Sequence, residues 1–156
     1  MVKILLKLVF LLSVLLISDY ALADTYIGYS HTKHLLSEGL NDSHPMVGYE
    51  KDGLGGVAFI NSFDKLSLGL YNSYKFVNKG NLSVKVRYGL TTGYTKKQHR
   101  NGQTYTAHAP FVMPGVMAIV IPAVSYKQDK FTYSFEQLGD ATSLSITYFL
   151  GDNNGI

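Results

Sequence analysis

Leu82-Ser83-Val84-Lys85-Val86-Arg87-Tyr88-Gly89-Leu90-Thr91 alternates without a break. The even positions are apolar. The odd ones are polar, charged or glycine. A period of two marks a β-strand with unlike faces, whereas a helix repeats near 3.6. Outward from this stretch the same rhythm returns. Residues 66–74 set Leu66, Leu68 and Leu70 against Ser67, Gly69 and Tyr71. Residues 131–136 set Phe131, Tyr133 and Phe135 against Thr132, Ser134 and Glu136. Residues 142–150 set Leu144, Ile146, Tyr148 and Leu150 against Ser143, Ser145, Thr147 and Phe149.

The spacing predicts eight strands, at about 24–31, 45–51, 54–62, 65–77, 81–95, 111–127, 129–137 and 141–150. Turn residues separate most of them, as at Asp52-Gly53, Asn78-Lys79-Gly80 and Leu138-Gly139-Asp140. Two connections are longer: 32–44 and 96–109, both polar, which hold four of the five histidines. Short turns at one end and longer loops at the other are the layout of an outer-membrane barrel.

Alternation alone leaves two barrels open. A soluble, lipocalin-like calyx points its apolar residues inward; a membrane barrel points them at lipid and keeps polar groups in the lumen. In the second, Lys85, Arg87 and Glu136 lie inside and can pair. Three features favour the membrane. Residues 1–23 read as a secretory signal peptide: Lys3 and Lys7, an apolar run from Leu8 to Ile17, and Ala21-Leu22-Ala23 as the cleavage site. The alternative, an N-terminal anchor, suffers because that run is shorter than the ~20 residues a spanning helix needs. The chain carries Tyr 12, and interfacial belts favour tyrosine. The third feature is the pair of longer loops. Residues 24–156 then form a single barrel domain.

Composition excludes other classes. With Cys 0 there is no disulfide scaffold, thiol nucleophile or cysteine-ligated metal. A net charge of +3 is too small to indicate nucleic acid as a partner. Only 16% of the residues are charged, against about 25% in an average soluble domain, and the mean hydropathy is +0.06. A barrel with one apolar and one polar face explains both values, because its averages cancel. His31, His34 and His44 share no structural-zinc spacing, so no metal or other cofactor is expected.

Gly56-Val57-Ala58-Phe59-Ile60-Asn61-Ser62, followed by Phe63-Asp64-Lys65, resembles the Lys-Asp-Ser segment of the outer-membrane lipid A palmitoyltransferases. His34, then Asn41 and Pro45-Met46-Val47-Gly48-Tyr49-Glu50, looks like that family's histidine loop and the glycine-rich strand after it. Leu90-Thr91-Thr92-Gly93-Tyr94 and the segment from Pro114 to Tyr126 are similar to its fifth and sixth strands. The resemblance spans most of the chain, in order. It implies an eight-stranded antiparallel barrel with a lipid-binding interior, monomeric in the outer membrane, that moves an acyl chain from phospholipid to lipid A.

The family's essential histidine, aspartate and serine fall on His34, Asn61 and Ser62, with Asn61 a departure. Acyl transfer needs a base, an activated hydroxyl and an oxyanion stabiliser. His34 is expected as base and Ser62 as nucleophile or oxyanion donor. Asn61 is expected to orient a neighbour, since it carries no charge. His31 rivals His34 for the histidine role. The competing expectation, favoured by Asn61, is a non-enzymatic barrel that binds lipid or remodels the surface. Lys96-Lys97-Gln98-His99-Arg100 is a basic run that lipid A phosphates would attract, or a solvated loop tip. Pro114 and Pro122 either bracket a weak seam, which in the family looks like a side door for lipid, or Pro114 lies in the loop and Pro122 alone perturbs the strand.

Overall fold

The computed structural model describes residues 25–106 and 109–151. The expected signal peptide and His108 lie outside them. The strands are β1 (Thr25–His34), β2 (Ser43–Lys51), β3 (Leu54–Ile60), β4 (Leu66–Lys79), β5 (Leu82–Thr92), β6 (Lys97–Arg100), β7 (Gln103–Thr106), β8 (Phe111–Met113), β9 (Val116–Gln128), β10 (Phe131–Leu138) and β11 (Ala141–Phe149). Eight of them close an antiparallel barrel in the order β1-β2-β3-β4-β5-β9-β10-β11, with β11 paired back onto β1. No helix of the described residues is long and apolar enough to cross a membrane.

The barrel is inside out. Leu66, Leu68, Leu70, Tyr88, Leu90, Val120, Leu144 and Ile146 are exposed on its outer wall. Ser30, Thr32, Ser67, Lys85, Thr91, Ser125, Ser134 and Ser145 are buried inside it. The alternation therefore has the polar row inward, which rules out the apolar interior of a calyx. Exposed aromatics gather toward the end with the short turns and the termini: Tyr74, Phe76, Tyr126, Phe131 and Tyr133.

Inside, Arg87 closes the middle of the lumen. Its guanidinium lies 2.5 Å from Glu136 and 3.9 Å from Glu50, and 5.5 Å from the Tyr71 ring centre. The Tyr71 hydroxyl donates to Glu50 at 2.9 Å and contacts the Tyr26 hydroxyl at 3.1 Å. Both tyrosines fit because glycine faces them: a Cβ on Gly48 would run into the Tyr26 ring. The pairing expected of Arg87 and Glu136 is thus present.

The loop end differs from the expected layout. Residues 32–44 are not all loop: β1 runs to His34 and β2 starts at Ser43. Polar rim residues continue the ladder, as where Thr32 pairs with Ser143 through hydroxyls 2.7 Å apart. Both faces are polar there, so the period-two signal disappears while the backbone pairing persists. Residues 96–109 contain the β6–β7 hairpin. Strand three stops at Ile60, strand five at Thr92, and the sixth run divides into β8 and β9. The division falls at Pro114-Gly115, where Gly115 takes φ 80. Pro114 therefore sits in a turn, and Pro122 alone interrupts a barrel strand.

That interruption is local. The β9–β10 ladder stops at Ala123–Glu136. Above it β8 pairs with Val116 and Met117, and the Ala118 N–H donates to the Pro110 carbonyl. Among the described residues, Ile119 to Pro122 have no strand partner on that side.

Candidate functional site

Above the Arg87 layer the lumen holds a cavity of about 150 Å³. Met46, Val57, Phe59, Ile119, Ile121 and Leu138 give it apolar walls. Tyr71, Arg87 and Glu136 form its floor; His44, Ser62, Thr91 and Tyr94 stand toward the loop end. A narrow space with apolar sides and polar groups at its mouth suits an amphipathic ligand whose chain goes down first.

The expected site residues meet different fates. His34 ends β1 on the inward row, and its Nε2 is buried without a hydrogen-bond partner. His31 lies on the exposed row with Ile27 and Tyr29. The inward histidine is thus His34. Ser62 follows β3 and lines the cavity at 7% exposure. Asn61 is completely buried in the β3–β4 turn. Its Oδ1 accepts from the N–H groups of Phe63 (2.8 Å) and Lys65 (3.1 Å). Its Nδ2 donates to Ser67 Oγ (2.9 Å) and the Gly93 carbonyl (3.1 Å). These four bonds use the amide's capacity. Asn61 holds the turn that presents Ser62. Gly93, at φ 85, must be glycine, because a Cβ there would strike Ser67 Oγ and lie 3.0 Å from Asn61 Nδ2.

Two cavity residues, His44 and Tyr94, had no expected role in the site. His44 lies on the inward row of β2, and its Nδ1 is 2.8 Å from the Ile60 carbonyl. A carbonyl only accepts, so Nδ1 carries the hydrogen and Nε2 keeps its lone pair. The signal was available: His44 is two residues before Met46 and in phase with Gly48 and Glu50. Tyr94 lines the cavity with Ser62, and burial pushes its hydroxyl up to about 12, with Ser62 acting in the opposite direction. It therefore stays a donor at neutral pH.

The β6–β7 hairpin lies over this mouth. Arg100 donates to the Ser62 carbonyl at 2.5 Å and pairs with Asp64 at 2.6 Å. Tyr105 donates to the Glu38 carbonyl at 2.5 Å, and its ring packs edge-on against Phe63 at 5.7 Å. The basic run is therefore divided: Arg100 is engaged, while Lys96, Lys97 and His99 are exposed. Because the chain has Cys 0, a Ser62→Cys variant carries a single thiol. Arg100→Ala is expected to speed its alkylation about tenfold, as loss of a charge-assisted hydrogen bond implies. Equal rates with and without Arg100 would show that the hairpin does not cover Ser62.

No family model matches the chain, and no curated protein matches it significantly.

Proposed function

We propose that this chain is a small outer-membrane barrel that takes the acyl chain of an outer-leaflet lipid into its upper lumen. Phospholipid and lipid A are its proposed partners. The carrying observation is the pairing of an apolar exterior with an apolar-walled cavity above a charged floor. Exposed leucines around a closed barrel need a non-aqueous surrounding. The aromatics toward the turn end fit an interfacial belt. The break beside Pro122 supports access for lipid from the side, since unmade backbone bonds weaken a wall in a bilayer.

Acyl transfer is the second reading, favoured by His44 and Ser62 lining one cavity. Its histidine is oriented without a carboxylate, because the Ile60 carbonyl fixes the tautomer. His44 Nε2, or His34, takes the proton of the attacking hydroxyl and returns it to the leaving alkoxide. Tyr94 is a donor beside Ser62 for the developing oxyanion. Asn61 acts only by holding the turn.

The test is expression in a Gram-negative host, with fractionation and heat-modifiable gel mobility, then mass spectrometry of lipid A. Recovery in the outer membrane with lipid bound is expected. A soluble periplasmic product would overturn the membrane reading. An added acyl mass lost in Ser62→Ala and in His44→Ala or His34→Ala supports transfer. No added mass at high expression rejects transfer and leaves lipid binding.

A further inference from the structure

Below the Arg87 layer the lumen has more donors than acceptors. Lys75 on β4 and Lys85 on β5 are directly paired. Lys85 is 7% exposed and lies on the inward row. Lys75 shares its row with Tyr71 and Ser73, just before the irregularity at Phe76. On the next strand round, β9, Lys127 continues the inward row of Ala123 and Ser125. Among the described residues the two lumenal carboxylates, Glu50 and Glu136, are within ion-pair distance of Arg87 and not of Lys85. Beside Lys85 two polar atoms are buried without a hydrogen-bond partner: Ser73 Oγ, and Arg87 Nε, which stands 3.9 Å from Glu50; their residues pair directly across β4 and β5.

Like charges set opposite each other on one face of a sheet destabilise it. A buried donor without an acceptor costs more again. The buried Lys85, the exposed Lys75 and Lys127 and the Ser73 hydroxyl thus follow one another on the inward rows toward the turn end, and among the described residues no carboxylate lies within ion-pair distance of these lysines. A compact oxyanion with several acceptor oxygens can take donors from more than one of these side chains at once. A carboxylate has fewer oxygens to share among them.

We propose that the turn-end mouth of the lumen is a phosphate-binding site formed by Lys75, Lys85 and Lys127, with Ser73 and Arg87 at its inner edge. It is separate from the acyl cavity, because the Arg87–Glu136–Glu50 layer lies between them. The ligand is a phosphate group, carried on an anionic lipid headgroup or free in solution. Among the described residues, Asp52 and Asp129 are the carboxylates of the neighbouring turns, and Lys79 adds a positive charge at the end of β4.

The test uses the folded barrel in zwitterionic detergent, titrated with inorganic pyrophosphate while the unfolding midpoint is followed. The wild type is expected to gain stability with pyrophosphate beyond the gain from sodium chloride at equal ionic strength. Lys85→Met and the milder Lys75→Gln are each expected to weaken apparent affinity about fivefold or more, as loss of one lysine contact implies. Without ligand, Lys85→Met is expected to be at least as stable as wild type, because a like-charge pair is removed. A second arm replaces pyrophosphate with mixed micelles of phosphatidylglycerol or phosphatidylcholine. Preference for the former identifies a headgroup as the source; a response to pyrophosphate alone identifies a soluble phosphate. Equal stabilisation of wild type and Lys85→Met, or a chloride effect as large as that of pyrophosphate, overturns the site. A chain that stays soluble without detergent fails the membrane reading and leaves the pyrophosphate arm standing.

Discussion

Arg87→Ala is expected to cost the folded barrel about 3–5 kcal/mol, the usual penalty for stripping one partner from a buried ion pair. Arg87 is the common partner of Glu136 and Glu50, with side-chain exposures of 17%, 14% and 16% for the three. Its removal leaves two carboxylates in the lumen, where among the described residues the hydrogen bonds left to them are from the Tyr71 hydroxyl and, at a long 3.4 Å, from Ser145 to Glu136. Denaturant unfolding in detergent or vesicles measures the loss. The double variant Arg87→Met with Glu136→Gln is expected to recover much of it, because one charge leaves with its partner. Glu50 then keeps its bond from Tyr71. A single variant as stable as wild type would mean that water in the lumen screens the charges and that the layer is no seal.

Asn61→Asp is the second large expected effect, and its direction runs against the family resemblance. The substitution installs the residue those acyltransferases carry at this position, yet here it is expected to destabilise the barrel by about 2–4 kcal/mol, from a buried donor lost and a charge left unpaired. The carboxylate still accepts from Phe63 and Lys65. Its other oxygen, however, would face the Gly93 carbonyl across the 3.1 Å that the amide now bridges as donor. Acid should relieve the variant. Its folded carboxyl titrates above the unfolded one, so the deficit is complete at neutral pH and shrinks as pH falls and the group regains a hydrogen. Asn61→Ala loses the two acceptor bonds as well, and its deficit is expected to be independent of pH. An Asn61→Asp protein that is as stable as wild type, with newly gained acyl transfer, would show that position 61 is a catalytic site rather than a turn support.

Much of the fold was legible because a thin barrel repeats one simple constraint. Each wall residue faces either outward or inward, so Leu82 to Thr91 announces its strand and both of its faces. The pairing of Arg87 with Glu136 followed from the same logic, since charges on an inward row have only each other. The rim was harder to read. From Thr32 to His34 both faces are polar, and the strand continues on hydrogen bonds that leave no pattern in residue type. The β6–β7 hairpin was hidden for the same reason. Pro114 and Pro122 carry the same chemical signal, and the Gly115 turn separates their roles.

The eight barrel strands, their approximate positions and the unlike character of their two faces are legible in residue order alone, because side chains alternate at every residue whatever the partner strand. Alternation alone left open which face points inward, since it is unchanged when a sheet curls the other way. Tertiary closure decided that, and with it everything that depends on convergence across strands. His44 joins Ser62 from the β2 side, Asn61 spends its amide on the β3–β4 turn and Gly93, and Lys75 meets Lys85. Those relations depend on register and closure, which bring together residues far apart along the chain.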